Sequence, residues 1–217
     1  MKQLLLDIKP PALPTLDNFI VGRNAEAINS LKAALNDNAQ SNFIYVWGEN
    51  GAGKSHLISA LKHTLSKASA CEPISTRLAE ACFFLDDVHL LDNDAQIALF
   101  NTYNQIKADD GILITAGLHA PNQMNLRDDL ATRLAWGLVY QLHPLNDEEK
   151  ALALKQHAKA RGMKLPDEVT DYCLRYLRRD LPTLMATLDA LDEWSLTAHK
   201  PITVPMLKKL LQLELNI

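Results

Sequence analysis

The segment GENGAGKS, residues 48–55, constrains this chain more than any other stretch of its sequence. It matches the pattern GxxxxGK[ST], follows an apolar run at 43–47 that is typical of a buried strand, and opens a helical pattern at 55–67. Glycines in such a turn let several backbone amides point at one anion, and the amino end of the helix adds about half a positive charge. The segment therefore predicts a phosphate-binding loop, against the alternative of a glycine-rich turn that binds nothing.

Four side chains would carry the chemistry of this loop. Lys54 is expected to reach the β- and γ-phosphates, and the Ser55 hydroxyl is expected to bind Mg²⁺. Asp86 and Asp87 follow the apolar run 81–85, so they should lie at the carboxyl edge of a sheet. Asp86 would hold the magnesium and Asp87 would polarise the attacking water. The alternative is a solvated pair of carboxylates, which their position one strand after the loop disfavours.

Apolar runs that predict strands alternate with periodic segments that predict helices in the first part of the chain. Helices are predicted at 26–35, 55–67 and 95–106, and strands at 43–47, 81–85, 112–115 and 138–142. Strands that alternate with helices imply a parallel sheet, so the predicted fold class is α/β.

From Asn146 onward only helical periodicity remains, which indicates a second, all-helical domain. Asn146 and Glu149 fit a capping box at its start. Prolines at 10, 11 and 14 indicate an extended segment ahead of the first domain. We therefore expect an extended tail at 1–14, a nucleotide-binding domain at 15–145 and a helical domain at 146–217.

Composition excludes several classes of protein. The formal net charge is −4, which argues against a strongly basic nucleic-acid binder, and 47% hydrophobic residues suffice for a sizeable core. The three cysteines form no CxxC pair and indicate a reduced compartment. No apolar run approaches the roughly 18 residues that a membrane span needs, so we expect a cytoplasmic protein without a membrane partner.

Arg133 precedes the last predicted strand and is a candidate to carry positive charge to a phosphate across a subunit boundary. An arginine used in this way contributes about 10³ to 10⁵ in rate. The alternative is an exposed ion pair with Asp128 or Asp129, which contributes roughly 1 kcal/mol or less. The residues alone do not decide between the two.

Several motifs together resemble a known family. They are LDNFIVGRN at 16–24, the glycine-rich loop, the tandem aspartates, LATRLAWGL at 130–138 and the helical carboxyl part. This combination resembles the AAA+ module of the bacterial replication initiator DnaA, and most of all the Hda family of DnaA-related regulators. The resemblance implies a P-loop AAA+ base domain with a parallel sheet plus a small helical lid. The DNA-binding domain that follows in DnaA is missing here, so no sequence-specific DNA binding is expected.

The resemblance also assigns roles to individual residues. Phe19, Ile20 and Val21 would line the adenine pocket, Thr115 lies near the sensor 1 position, and Arg133 matches the box VII arginine. At the position of the sensor 2 arginine this chain has Pro182, so either Arg179 substitutes from one helical turn earlier or that contact is lost; a solvated pair with Arg178 is the alternative. The predicted ligands of ADP or ATP also include Gly48, Asn50, Gly51, Ala52, Gly53, Lys54, Ser55 and His56.

The amino-terminal segment QLLLDI is similar to the short peptide with which bacterial proteins dock on the DNA polymerase III β sliding clamp. Its candidate contacts are Gln3, Leu4, Leu6 and Ile8, with leucines in an apolar groove and a glutamine at its edge. In an unrelated protein, a first β-strand or a stray apolar terminus would be the better explanation of this segment. At the terminus of an Hda-like chain we favour the clamp motif.

The resemblance implies a regulator that binds the DNA-loaded clamp and promotes hydrolysis of DnaA-bound ATP, without independent turnover of its own. Two rival functions fit the loop: an autonomous P-loop ATPase or small-molecule kinase, and a clamp-tethered adaptor that uses nucleotide as a structural ligand. The sequence leaves open the active nucleotide state, whether a homo-oligomer forms, and the role of the stretch at 56–82, which is short for the family.

Overall fold

The computed structural model describes residues 13–35, 41–69 and 82–214, which form two compact units. The first unit spans residues 13–144 and the second begins at Leu145. The elements of the first unit are α1 (Ala25–Ala34), β1 (Phe43–Trp47), α2 (Lys54–Ser69), β2 (Cys82–Leu85), α3 (Asn93–Ala108), β3 (Ile112–Gly117), α4 (Asp128–Leu134) and β4 (Leu138–Gln141). No helix within the described residues is both long and apolar enough to cross a membrane.

The four strands form one parallel sheet with the order β2-β3-β1-β4. Because all strands run the same way, their carboxyl ends meet at one edge of the sheet. The glycine-rich loop leaves β1 at this edge, and Asp86 leaves β2 there, with β3 between them. The sheet therefore gathers the predicted phosphate and metal ligands on one side.

The central strands are buried on both faces, so their side chains pack into two apolar layers, one on each side of the sheet. Ile44 and Ile114 pack with α1 and α2, whereas Tyr45 and Leu113 pack with α3 and α4. Every residue of β3 is buried. This explains why these strands appear in the sequence as continuous apolar runs and not as alternating patterns.

The second unit consists of helices around their own apolar core. They are α5 (Asp147–Ala160), α6 (Asp167–Tyr176), α7 (Leu181–Ala198) and α8 (Val204–Glu214). Leu154, Cys173 and Leu188 are completely buried between them. The capping box at the start of α5 is confirmed, because Glu149 N donates to Asn146 Oδ1 at 2.7 Å and Asn146 N donates to Glu149 Oε2 at 2.8 Å.

The α/β fold with a helical second unit is confirmed, and most element bounds agree with the prediction to within two residues. The prediction assigned no helix at α4, because seven residues with two buried leucines are too short to show helical periodicity. β3 runs two residues beyond the predicted strand, to Gly117. Residue 81, the predicted start of β2, lies outside the described residues.

Candidate nucleotide-binding site

The loop between β1 and α2 requires glycine at two positions for different reasons. Gly53 has a φ of +95°, and a Cβ added there would lie 3.0 Å from Phe19 Cε2. At Gly48 an added Cβ would lie 2.3 Å from the carbonyl oxygen of Leu142. The loop is therefore held in its curled form by close contact with two distant segments of the chain.

The predicted loop residues differ in their access to solvent. Ala52 is buried and faces the core of the first unit. Asn50, Gly51 and Ser55 are exposed. The Ser55 hydroxyl, at the first turn of α2, is thus open to a ligand from solvent.

The ammonium group of Lys54 is buried within the loop that precedes it. Lys54 is only 6% exposed, and its Nζ donates to the carbonyl oxygens of Gly48 at 2.7 Å and Glu49 at 3.1 Å. Burial lowers the pKa of Lys54, and the carboxylates of Asp86 and Asp87 oppose that effect. The loop lysine and the tandem aspartates are therefore close enough for their charges to interact.

The two aspartates differ in backbone and exposure. Asp86 Oδ1 accepts from the backbone N–H of Asp87 at 2.9 Å. Asp87 lies in the left-handed region, with φ 53° and ψ 41°, and its side chain is half exposed. An aspartate in that region costs of the order of 1 kcal/mol, and such strain is common where a side chain must be aimed. Asp87 Oδ1 also lies 4.0 Å from His89 Nδ1.

These residues suit a magnesium nucleotide. Mg²⁺ is usually bound through one or two protein oxygens plus the phosphates of its ligand. Ser55 and Asp86 provide such oxygens, and no group of three or more metal-ligating side chains occurs in the part of the chain that the structure describes. Lys54 and the loop amides would hold the phosphates.

His56 joins α2 to the segment that precedes α1. Its Nε2 lies 2.9 Å from Asn18 Oδ1 and 3.3 Å from the carbonyl oxygen of Thr15. The His56 ring also meets the Phe19 ring edge-on, with centroids 5.6 Å apart. Phe19 is buried against the loop, while Ile20 and Val21 are half-buried. The predicted adenine-binding segment thus lies beside the phosphate loop.

Asn24 fixes the other end of that segment. Its side-chain amide donates to the carbonyl oxygen of His143 at 3.0 Å, and its side-chain oxygen accepts from His143 N at 2.7 Å. Asn24 is 3% exposed. Its position before α1 is typical of a helix cap, yet its side chain makes no cap hydrogen bond. Sequence reasoning missed this role because the partner is 119 residues away.

Thr115 is fully buried within the sheet, paired in register between Tyr45 and Leu85. Among the described residues its hydroxyl has no hydrogen bond of ordinary geometry. The strand ends two residues later at Gly117, where an added Cβ would lie 2.2 Å from the Tyr45 hydroxyl oxygen. The structure therefore does not bring Thr115 to the open edge of the sheet, and its sensor role stays a prediction.

Arg133 lies in the last turn of α4, where it stacks on an aromatic ring. Its guanidinium carbon is 3.5 Å from the centroid of Trp136 and 5.1 Å from that of Phe100. The ion pair that the sequence offered as an alternative is absent among the described residues, since Asp129 pairs with Arg127 at 2.9 Å. Trp136 belongs to the motif LATRLAWGL at 130–138, but its contact with Arg133 was not predicted from the sequence.

The predicted lid contact, Arg179, belongs to the second unit. Its side chain is 63% exposed, and Nη1 lies 3.7 Å from Asp147 Oδ2. Pro182 is in the first turn of α7, where a missing backbone N–H costs no helical hydrogen bond. The predicted clamp residues Gln3, Leu4, Leu6 and Ile8 lie outside the described residues.

Two protein-family models match different parts of the chain. The model of the bacterial DnaA ATPase domain matches residues 13–75, which include the glycine-rich loop. The model of the Hda lid domain matches residues 147–211, which include α5 to α7. The two matches thus fall on the two compact units.

Solved structures with the same fold include initiators and a motor. Domain III of Thermotoga maritima DnaA is 20% identical with a TM-score of 0.71, and the match covers 94% of this chain and 98% of that chain. AMPPCP-bound DnaA from Aquifex aeolicus is 23% identical with a TM-score of 0.65, covering 82% of this chain and 64% of that one. The Thermotoga maritima RuvB branch migration motor is 15% identical with a TM-score of 0.64, covering 95% and 72%. The two family models, together with the shared fold, support an Hda-like, DnaA-related AAA+ protein.

Proposed function

We propose that this protein regulates the initiation of DNA replication by binding an adenine nucleotide and promoting hydrolysis of the ATP held by DnaA. The observation that carries the proposal is the state of Arg133. Its guanidinium is held on a half-exposed tryptophan and has no carboxylate partner among the described residues. An arginine without a carboxylate partner in its own chain keeps its charge available for the phosphate of another molecule.

Nucleotide binding is supported by the state of Lys54. Its ammonium is bonded to two carbonyls of its own loop, which an incoming phosphate would replace with a stronger, charge-assisted partner. The related DnaA from Aquifex aeolicus is bound to AMPPCP, an ATP analogue. Bound nucleotide would be held by Phe19, Ile20, Val21, Gly48, Asn50, Gly51, Ala52, Gly53, Lys54, Ser55 and His56, with Asp86 and Ser55 on Mg²⁺. The resemblance adds Arg179 as a further contact.

The trans reaction is phosphoanhydride hydrolysis. Water attacks the γ-phosphorus of the ATP on DnaA, and the bond between this phosphorus and the β,γ-bridging oxygen breaks. The products are ADP, inorganic phosphate and a proton from the water. Arg133 would stabilise the negative charge that grows on the transferred group. Asp87 would orient water only in this protein's own nucleotide site, and not at the ATP held by DnaA.

Delivery to DnaA would use the sliding clamp on DNA. The proposal rests on the sequence of residues 3–8, which is similar to the docking peptide and is followed by Pro10 and Pro11. Tethering raises the effective concentration of Arg133 near DnaA without any new contact at the site. It would also confine ATP hydrolysis to times when clamps are on DNA, which would prevent re-initiation.

The test is a single-turnover assay of ATP pre-bound to DnaA, with clamp loaded on DNA and this protein in its ADP or ATP state. Arg133→Ala is expected to abolish the stimulated hydrolysis, with a loss of about 10³-fold. Arg127→Ala is the matched control, because this nearby arginine is exposed and already paired with Asp129. Full stimulation by Arg133→Ala would remove the arginine from the mechanism.

The clamp contact is tested separately. A double variant, Gln3→Ala with Leu6→Ala, should lose clamp in a pull-down and keep nucleotide affinity. Lys2→Ala, adjacent to the motif, is the control and should retain clamp. Undiminished clamp binding by the double variant would refute the assignment of the tail.

A second candidate function, an adaptor that uses nucleotide as a structural ligand, is favoured by one observation. The resemblance places Pro182 at the position of the arginine with which other family members sense nucleotide, and Pro182 lies in the first turn of α7. This candidate would be supported if ADP and ATP stabilise the protein equally and the ATP is not hydrolysed.

A further inference from the structure

The indole of Trp136 is shared by two cations. Lys107 Nζ lies 4.7 Å from its ring centroid, and the Arg133 guanidinium carbon lies 3.5 Å from the same point. The two charges are therefore closer together than the Debye length of about 10 Å at 0.1 M salt. They repel each other, and salt only partly screens that repulsion.

Neither cation is neutralised within the described residues. Both are absent from every ion pair in that part of the chain, and two acidic side chains near them in the sequence have other partners. Asp129 binds Arg127, and Asp110 accepts from Asn42 Nδ2 at 2.8 Å. Each cation instead rests on the face of an aromatic ring, a contact worth about 0.5–1 kcal/mol at an exposed site.

The backbone fixes the ring relative to the arginine. Trp136 N donates to the carbonyl oxygen of Arg133 at 3.1 Å, just past the end of α4. Phe100 of α3 approaches the guanidinium as well, at 5.1 Å. Arg133 thus loses part of its rotational freedom before any partner arrives, which lowers the cost of binding. Trp136 remains 49% exposed, so the cluster faces solvent.

We propose that Lys107 and Arg133 form a two-cation site for a phosphate chain, with Trp136 as the residue that positions both. The inference rests on the proposed function and deepens it, because the phosphate chain is that of the nucleotide held by DnaA. A polyanion that contacts both cations offsets their mutual repulsion and gains attraction from each. Lys107 is then a second phosphate-contacting residue, and Trp136 acts only through its neighbours.

The first experiment measures hydrolysis of DnaA-bound ATP in single turnover over a range of concentrations of this protein. Lys107→Gln should lower the maximal rate about tenfold, less than the roughly 10²–10³ lost when a preorganised donor is removed. Lys62→Gln, an exposed lysine of α2, is the matched control and should behave as wild type. A wild-type maximal rate for Lys107→Gln, alongside an inactive Arg133→Ala, would overturn the inference and leave the proposed function standing.

The positioning role has its own readout. Trp136→Phe keeps an aromatic face and should retain most of the rate, whereas Trp136→Leu should lower the maximal rate and raise the half-saturating concentration. Affinity of both variants for their own nucleotide should be unchanged. Equal rates for the Phe and Leu variants would exclude the ring as a positioning element.

A second experiment judges the site without DnaA. Tripolyphosphate is titrated into ADP-saturated protein whose other tryptophans are removed by Trp47→Phe and Trp194→Phe, and Trp136 fluorescence is followed. A saturable change that weakens with salt and disappears in Lys107→Gln supports the two-cation site. If wild type fails to stimulate DnaA but this signal is present, the proposed function fails while the site stands. The absence of any signal refutes the site.

Discussion

The side chain of Asn24 forms two hydrogen bonds with the backbone of His143, one donated at 3.0 Å and one accepted at 2.7 Å. Asn24 is almost fully buried, so both backbone groups of His143 would lose their partners if the amide were removed. This pair links the segment before α1 to the segment after β4.

Asn24→Ala should therefore destabilise the protein by about 2–3 kcal/mol, because a buried group left without a partner costs about 1–3 kcal/mol. Urea unfolding measures the loss. Asn42→Ala removes a hydrogen bond to Asp110 at an exposed site and should cost much less. Equal losses for the two variants would show that burial at Asn24 contributes nothing.

The difference between Asn24 and the glycine-rich loop explains what the sequence can predict. The loop is contiguous, so its position between β1 and α2 could be predicted from the local pattern and is confirmed. Its phosphate-binding role stays a prediction. The Asn24 contact depends on the chain returning after more than a hundred residues. The stack of Arg133 on Trp136 likewise depends on side-chain placement past a short helix, α4, that has no periodic signal.

Lys54→Met tests the loop lysine. Burial lowers the pKa of Lys54 and disfavours its charge, but an apolar side chain of similar length leaves two loop carbonyls without this donor, so the unliganded fold should be somewhat less stable. Stabilisation by ATP, about 2.7 kcal/mol at 100 times Kd in the wild type, should disappear. Thermal unfolding with and without Mg-ATP measures both. Lys62→Met is the control, and a full ligand-induced shift in Lys54→Met would contradict the role of the lysine.

Alkaline pH should destabilise both units through their buried thiols. Burial raises the pKa of Cys82 and of Cys173 from 9.0 to about 11. The unfolded chain therefore loses these protons first, so the stabilisation is complete below pH 9 and is lost as pH rises towards 11. The loss is about 2–3 kcal/mol per thiol. Urea unfolding at pH 8 and pH 10.5 measures it.

Cys82→Ala and Cys173→Ala provide the comparison. Each should be less stable at pH 8, because a buried side chain is shortened, but should lose less stability between the two pH values than the wild type. An unchanged pH dependence in both variants would assign the alkaline loss to other groups, among which burial raises the pKa of Tyr103 to about 12.

Variants of Arg179 and Arg178 distinguish a contact with nucleotide from a general effect of surface charge in the second unit. Both are exposed and loosely paired, Arg179 with Asp147 at 3.7 Å and Arg178 with Asp180 at 3.4 Å, and such pairs add roughly 1 kcal/mol or less to stability. If Arg179 takes the place of the arginine that Pro182 replaces, Arg179→Ala should weaken ADP affinity about tenfold, or about 1.4 kcal/mol, without changing the unfolding midpoint. Arg178→Ala should leave affinity unchanged. Titration calorimetry measures both, and equal affinities for the two variants would mean that Arg179 does not take the place of that arginine.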